Sequence, residues 1–241
     1  MIAPGEKHTP ENSPAVVQNA IIVHTHKCGG TSLKHALVAA FGPAQVREDY
    51  THGMQNPGSL LNLDPERYWR QVSCEPVRGI VIGHFPITAY AHVGDALRIA
   101  LLRHPVDRMI SHYFFWRGQT PPNEENKLWH SVRRGEFSLE EFCRVPLISG
   151  LYRHGYFRDF MRRLDLLIVH ERMAKGVTEL SQLLGHPISL PVVNTTSLSW
   201  SGYETAKSAI RNDRRLWNEL CRSLSDEITF YESCLSLPNA A

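Results

Sequence analysis

The sequence lacks the features that mark disulfide-rich, zinc-binding and membrane-spanning proteins. Its five cysteines are scattered, odd in number and without a Cys-x-x-Cys pair, which argues against a disulfide framework and a zinc cluster. Every apolar run is shorter than the ~18 residues that a membrane helix needs. The first 20 residues lack the basic and apolar segments of a secretory signal. We therefore expect a soluble, unprocessed protein in a reducing compartment, the cytoplasm.

The sequence also has little net charge. Its 26 Lys and Arg residues stand against 24 Asp and Glu residues, which gives a formal charge of +2. So small a charge provides no general attraction to nucleic acid, and any anion-binding site must be local. The length of 241 residues and the 42% hydrophobic content fit one globular domain. We predict a flexible arm over 1–19 and a single domain over 20–241.

The strongest motif is IIVHTHKCGGTSLKHAL, residues 21–37. An apolar run, predicted as a strand over about 20–25, breaks into a polar turn with two glycines and enters a segment with helical spacing over about 31–41. A buried strand that turns on glycines into a helix directs unpaired backbone N–H groups out of the helix start. Because Lys27 and the hydroxyls of Thr31 and Ser32 lie beside them, the stretch predicts a phosphate site.

The residue order in this motif departs from that of nucleoside triphosphatases. Their P-loop, G-x-x-x-x-G-K-[ST], has its lysine after the glycines, whereas Lys27 precedes Gly29 and Gly30. The order weakens a nucleoside triphosphate interpretation but keeps the phosphate site. An ordinary strand-to-helix turn with a surface lysine remains an alternative.

A second unit of the same kind spans RIALLRHPVDRMISHYFFWR, residues 98–117. Its apolar run ends in Arg103, and Pro105 suits the first turn of a helix. Ser111 follows about two turns into that helix. An arginine with a nearby hydroxyl is a good receptor for a phosphate dianion. Two such units therefore indicate two anionic groups on one ligand.

A third stretch, GIVIGHFP at 79–86, predicts a buried strand with His84 at its end. Ligands of open α/β sheets bind outside the carboxyl ends of the strands, so this imidazole is well placed for chemistry. A purely structural role for a single histidine remains equally open.

The remaining segments are predicted from turn signals and periodicity. They are an irregular stretch over 43–78 with a short helix start at Asp64, a mobile loop over 117–137 with a basic end at Arg133 and Arg134, helices over about 139–145, 149–163 and 174–184, a strand over 166–169 and two helices over about 203–232. Ser138 and Glu141 predict a capping box. The alternation predicts an α/β fold, P-loop-like and three-layered, with a central mostly parallel sheet flanked by helices.

Three of these stretches resemble motifs of the sulfotransferases that use 3′-phosphoadenosine-5′-phosphosulfate (PAPS), especially the carbohydrate branch that includes heparan sulfate 2-O-sulfotransferase. HTHKCGGTSL resembles the 5′-phosphosulfate loop, LLRHPVDRMISHYFF the 3′-phosphate motif and GIVIGHFP the strand with the catalytic histidine. The resemblance covers about 20–115. Over about 165–232 it is thinner and consists of VHERM, NTTS and the closing helices.

The resemblance implies a role for each matching residue. The 5′-phosphosulfate would be bound by Lys27, Cys28, Gly29, Gly30, Thr31 and Ser32, and the 3′-phosphate by Arg103 and Ser111. Thr195 and Thr196 would lie in a loop that closes over the nucleotide. His84 would act as general base, and Lys27 would stabilise the leaving oxygen. The family usually has proline at the position of His26, whose imidazole competes with His84 for the role of base.

The implied activity is transfer of a sulfuryl group from PAPS to an acceptor hydroxyl, with 3′,5′-adenosine bisphosphate (PAP) as product and no metal ion. Because the resemblance is to the carbohydrate branch, the implied acceptor is a carbohydrate. A P-loop-type kinase or nucleotide-binding protein acting on a small molecule is the nearest alternative, and it predicts magnesium dependence. A non-enzymatic module for acidic polysaccharide or nucleic acid would need a broad basic face. We expect no nucleic-acid partner and no membrane span.

Overall fold

A computed structural model describes residues 18–50, 64, 67–68, 76–121, 126–157, 163–191 and 200–241. The predicted arm over 1–19 lies almost wholly outside these residues, as do Thr195 and Thr196 with the loop predicted to close over a nucleotide. Within the described ranges, the helices are too short or too polar to cross a lipid bilayer.

The centre of the fold is a parallel sheet. Its strands are β1 (Ala20–His24), β2 (Val46–Asp49), β3 (Ile80–Gly83), β4 (Leu97–Leu102) and β5 (Leu166–Val169). They lie side by side in the order β2-β3-β1-β4-β5, and each neighbouring pair is parallel. The predicted α/β fold with a central parallel sheet is thereby confirmed.

Layers cover both faces of this sheet. Each residue of β1, β3 and β5 is buried. Because successive side chains of a strand point to opposite faces, such strands must be covered on both sides, as is usual for parallel sheets. The predicted three-layer arrangement follows from this burial.

The helices surround the sheet and build a second cluster beside it. They are α1 (Gly30–Phe41), α2 (Pro105–Gly118), α3 (Lys127–Arg134), α4 (Leu139–Cys143), α5 (Pro146–Ser149), α6 (Met173–Leu183), α7 (Tyr203–Asn212), α8 (Arg214–Ser223) and α9 (Ser225–Leu235). Short turns of 3-10 helix span Ile87–Tyr90 and His170–Arg172, and a π-helical turn spans Leu151–Tyr156.

Two predicted helix starts are confirmed in detail. Pro105 is the first residue of α2. At α4, the Glu141 backbone N–H donates to Ser138 Oγ at 3.2 Å, and the Ser138 N–H donates to a Glu141 carboxylate oxygen at 2.7 Å. This reciprocal pair is the capping box that the sequence indicates.

The prediction of a loop over 117–137 was wrong for much of its length. Helix α2 continues to Gly118, and α3 lies inside the stretch. Asn126 caps α3, because its side chain accepts the Trp129 N–H at 3.1 Å. Val132 is the buried residue of this short helix. The sequence signal was hidden by the prolines and polar residues that precede α3.

Other boundaries also differ from the prediction. The two helices expected over 203–232 are three, because Asp213 and Leu224 interrupt them. Within the helix predicted over 149–163, the described residues form the end of α5 and the π-helical turn Leu151–Tyr156, and 158–162 lie outside the described residues. Strand β2 lies within the stretch predicted as irregular. Its sequence, Val-Arg-Glu-Asp, is mostly polar because it is at the edge of the sheet and partly exposed.

Candidate functional site

A cavity of about 700 Å³ lies at the carboxyl edge of the sheet. The residue directly after each of β3, β4 and β5 lines it, namely His84, Arg103 and His170. The central strand β1 contributes His24, and the turn that follows it supplies the floor. The complete lining is His24, His26, Lys27, Gly29, Gly30, Thr31, Ser32, His84, Arg103, Ser111, His112, Phe115, Trp116, Trp129, His170, Tyr203, Glu204 and Lys207.

The structure brings most of the predicted site residues to this one cavity. From the first unit it collects Lys27, Gly29, Gly30, Thr31 and Ser32, from the second Arg103 and Ser111, and from the third His84. The two basic residues that the sequence placed 76 positions apart therefore face the same space. Their roles in binding remain predictions.

Cys28 is the exception. Its side chain is fully buried and does not line the cavity. The thiol lies 2.8 Å from Thr25 Oγ1 and 3.3 Å from the Tyr152 hydroxyl, and burial raises its pKa. The Cys28 side chain is therefore a protonated group packed beneath the turn, and its predicted part in binding the 5′-phosphosulfate stays a prediction.

The glycine turn approaches its neighbours too closely for larger residues. Gly29 has φ of 90°, in the left-handed region that favours glycine. At Gly30, an added Cβ would lie 2.1 Å from Nδ1 of the buried His24 ring. Lys27 also has positive φ, at 68°, which is uncommon for a residue with a side chain. The turn is therefore a specific and strained conformation.

The start of α1 has the properties of an anion-binding helix terminus. Within the described residues, no side chain caps this helix, and its first turn contains no acidic residue. The first N–H groups of a helix have no partner within the helix, and the helix dipole is positive at this end. A phosphate or sulfate group would satisfy these groups.

The Lys27 ammonium lies 3.9 Å from the centre of the Phe115 ring. Burial, together with the nearby Arg103 charge, lowers the Lys27 pKa to about 8. The protonated form is therefore less favourable here than in water. A bound anion would reverse that cost, since an opposite charge favours the charged form.

Arg103 links the two strand-turn-helix units that are predicted to bind phosphate. Its side chain is 8% exposed, and Nη1 donates to the Lys27 carbonyl at 3.1 Å. Its backbone carbonyl accepts the Tyr152 hydroxyl at 2.7 Å. Among the described residues, its Nε is buried without a hydrogen-bond partner. A buried donor without a partner costs free energy, so the Nε–H of Arg103 is available to donate a hydrogen bond to a ligand.

The orientation of His84 is fixed by a backbone carbonyl. Its Nδ1 lies 2.7 Å from the His24 oxygen, and since a carbonyl can only accept, Nδ1 carries the proton. Nε2 is then the ring nitrogen with the free lone pair. Burial lowers the His84 pKa to about 4, so the ring is neutral at pH 7. This is the state that a proton acceptor needs.

Further histidines surround His84. The His26 ring stacks on it with centroids 3.6 Å apart, and His112 lies 5.7 Å beyond His26. Burial is the main cause that lowers the pKa values of His24, His26 and His112 well below the usual range, and it lowers that of His170 to about 4. Among the residues described, no group of three or more His, Cys, Asp or Glu is arranged for a metal ion. Metal-free chemistry remains a prediction.

Sequence reasoning missed part of the cavity wall. The missed residues are His24, His112, Phe115, Trp116, Trp129, His170, Tyr203, Glu204 and Lys207. Four of them lie inside stretches quoted for the resemblance, which assigned them no role, namely His24, His112, Phe115 and His170. The others come from helices α2, α3 and α7, whose packing on the sheet edge is not readable from local patterns.

Comparisons with known proteins give a limited picture. No protein-family model matches the sequence, and no curated protein matches it. Mouse sulfotransferase SULT7A1, solved in complex with PAP, matches over 79% of this chain and 64% of its own, with 15% identity and a TM-score of 0.34. Retinol dehydratase, solved with androsterone and the inactive cofactor PAP, matches over 91% of this chain and 82% of its own, with the same identity and TM-score. At these values neither similarity fixes an activity for this chain.

Proposed function

We propose that this protein is a PAPS-dependent sulfotransferase, which transfers a sulfuryl group to a hydroxyl group of an acceptor, for which the sequence favours a carbohydrate. One observation carries the proposal: Lys27 with the glycine turn, Arg103 with Ser111, and His84 all line the same cavity. A donor with two separate anionic ends and a group to transfer matches that arrangement. The volume of about 700 Å³ is within the ~300–1,000 Å³ of ordinary ligand sites.

Donor binding would divide between the two units. The start of α1 with Lys27, Thr31 and Ser32 would hold the 5′-phosphosulfate. Arg103 and Ser111 would hold the 3′-phosphate, for which the partnerless Nε of Arg103 is a ready donor. Since Arg103 also donates to the Lys27 carbonyl, the two ends of the donor would be held at a fixed separation.

His84 would act as the general base. As the acceptor oxygen bonds to sulfur, its proton passes to Nε2 of His84, and the bond between sulfur and the 5′-phosphate oxygen breaks. A positioned base of this kind contributes ~10²- to 10⁴-fold to the rate. Lys27 and the N–H groups of α1 would stabilise the charge on the departing oxygen, where one well-placed donor contributes roughly 3 to 4 kcal/mol.

A kinase would need a different set of residues. Its magnesium ions are held by acidic side chains close to the phosphates. Among the described residues that line the cavity, the only carboxylate is that of Glu204, which belongs to helix α7 and not to a strand end. The lysine that precedes the glycines is a second departure from the kinase and triphosphatase pattern.

Transfer assays with His84→Ala test this proposal. Purified wild type should transfer sulfate from PAPS to members of a panel of hydroxyl acceptors without added metal, detected by mass spectrometry. His84→Ala should lose ~10²- to 10⁴-fold in turnover while it still binds PAP. His92→Ala, at an exposed histidine that does not line the cavity, is the matched control and should resemble wild type.

Two results would contradict the proposal. Near-normal turnover by a His84→Ala protein that binds PAP would exclude His84 as the base. A wild-type protein that binds neither PAP nor PAPS would exclude the proposed activity as a whole.

A further inference from the structure

One side of the cavity is a continuous series of rings that begins at the proposed base. His26 stacks on His84 at 3.6 Å, and His112 is 5.7 Å from His26. Trp116 follows at 4.9 Å from His112, and Trp129 is parallel to Trp116 at 5.0 Å. We name His26, His112, Trp116 and Trp129 the ring wall. Each of these four residues lines the cavity.

The ring wall is held rigidly. The indole N–H of Trp129 donates to the Trp116 carbonyl at 3.1 Å, which fixes α3 on α2. Trp116 is 2% exposed and also packs against Phe142, with ring centres 5.3 Å apart. His112 and Trp116 are almost completely buried, so the partly exposed rings of His26 and Trp129 provide the surface that a ligand can contact. A rigid aromatic surface loses little conformational freedom on binding, so it suits the recognition of a flat or ring-shaped ligand.

The charges of the cavity are already needed by the donor. Among the described lining residues, the cationic side chains are Lys27, Arg103 and Lys207, and Glu204 adds a carboxylate. The 3′-phosphate of the donor alone carries about −1.5 to −2 at pH 7, and the phosphosulfate adds more. Since burial lowers the pKa values of His26, His84 and His112, the histidines contribute no positive charge at neutral pH.

We propose that the acceptor is an uncharged alcohol that carries a ring, and that this ring binds against the ring wall with its hydroxyl directed at His84. The inference rests on the proposed function and adds the class of acceptor to it. Phenols and neutral sugars share the required chemistry, because a planar aryl ring and the apolar face of a sugar ring both pack on indole. The negative charge of the donor exceeds the net positive charge of the described lining residues, so an acidic acceptor would bring like charges together, which opposes binding.

Matched pairs of acceptors test the charge requirement. The aryl pair is 2-naphthol and 6-hydroxy-2-naphthoic acid, and the sugar pair is methyl xyloside and methyl glucuronoside. Within each pair only the carboxylate differs. We expect the neutral member of at least one pair to react with a kcat/KM about tenfold or more above that of its acidic partner. Equal or higher kcat/KM for the acidic members, or no turnover of either neutral compound, would overturn the inference.

Variants of Trp129 test the location. Trp129→Ala should raise the acceptor KM about tenfold and leave the PAP dissociation constant unchanged, whereas Trp129→Phe should restore most of the loss. Trp217→Ala, at a partly buried tryptophan outside this cavity, controls for general effects of losing an indole. If Trp129→Ala folds and weakens PAP binding but not the acceptor KM, the ring wall binds the adenine and the inference is wrong.

Failure of this inference can be distinguished from failure of the proposed function. Wild type that binds PAP and sulfates only acidic acceptors would keep the sulfotransferase activity and reject the neutral acceptor. Wild type that does not bind PAP would reject both.

Discussion

At the scale of single residues, Lys27 and His84 distinguish the site, because burial lowers the pKa of both side chains. The Lys27 pKa is lowered to about 8 and that of His84 to about 4. A lysine near its own pKa responds strongly to a nearby anion, and a histidine that is neutral at pH 7 is free to accept a proton. The same cavity thus holds a cation that responds to a bound anion and an imidazole that is neutral at pH 7.

The Lys27 pKa predicts how PAP binding depends on pH. The protonated lysine binds an anion better than the neutral one, so below pH 8 the free protein is already in the binding form. Above pH 8 binding must take up a proton, and the dissociation constant of PAP should rise by up to ~10-fold per pH unit. Calorimetric titrations between pH 7 and 9.5 measure this.

Lys27→Arg is the matched control for that pH dependence. A guanidinium stays charged over the whole range, since its pKa is at least ~12.5. The dissociation constant of this variant should therefore be flat with pH. A slope that persists in Lys27→Arg would assign the titration to another group.

The sequence left open whether His26 or His84 would act as the base. The structure stacks its ring on His84 and brings its Nδ1 within 3.4 Å of the Tyr156 hydroxyl. The carbonyl contact that fixes the tautomer belongs to His84 and not to His26. This difference favours His84 as the base, with His26 as its stacking partner and part of the ring wall.

At the scale of elements, the turn between β1 and α1 determines the geometry of the site. It must pass over the His24 ring, whose Nε2 is bonded to the Tyr50 hydroxyl at 3.1 Å. The carbonyl of the same His24 positions His84. The turn between β1 and α1 and the proposed base are thus coupled through one buried histidine.

Gly30→Ala tests this coupling. Its Cβ would lie 2.1 Å from His24 Nδ1, so the His24 ring or the turn must move. We expect the variant to lose about 1–3 kcal/mol of unfolding free energy, as overpacked sites do, and to bind PAP more weakly. Chemical denaturation and PAP titration measure the two effects.

Gly94→Ala is the control for the glycine variant. An added Cβ there meets no atom within 4 Å, so its stability and PAP affinity should match wild type. If Gly30→Ala behaved like Gly94→Ala in both measurements, the close approach of the turn to His24 would matter neither for stability nor for PAP binding.

Elements with strong local signals could be predicted from the sequence, and those that depend on packing could not. Strands β1, β3, β4 and β5 are apolar runs next to glycine, proline or charged residues, so both their type and their place were readable. Strand β2 is polar because one edge is exposed, and α3 is only 8 residues long. β2 has no apolar alternation, and α3 has its apolar residues at helical spacing but follows a stretch rich in proline and polar residues, which predicts a loop.

At the scale of the whole molecule, the order of the strands explains why distant residues share one cavity. β1 lies between β3 and β4, so its end is next to the ends of both, although it precedes His84 by 60 positions and Arg103 by almost 80 in the chain. All strands are parallel, and their carboxyl ends therefore meet at one edge, where ligands bind in such sheets. His84, the Lys27 turn and Arg103 follow those ends in that order.

The same topology limits what the sequence could show of the site. Residues at strand ends were predictable, because a strand end is a local feature and the edge at which parallel strands end is shared. The roles of Trp116, Trp129 and Lys207 in the cavity were not, because α2, α3 and α7 reach the cavity through the packing of a second cluster of helices. Such packing depends on side chains from the whole chain and leaves no motif.

The central claim is that Lys27 and Arg103 bind opposite ends of one bis-phosphorylated adenosine. The most direct test is to titrate wild type and Arg103→Ala with PAP and with 5′-AMP, which lacks only the 3′-phosphate. Wild type should prefer PAP by about 10- to 100-fold, since a charge-assisted hydrogen bond contributes roughly 1.5–3 kcal/mol, and Arg103→Ala should remove most of that preference. A wild type that does not distinguish the two nucleotides, or an Arg103→Ala protein that keeps the full preference, would contradict the account.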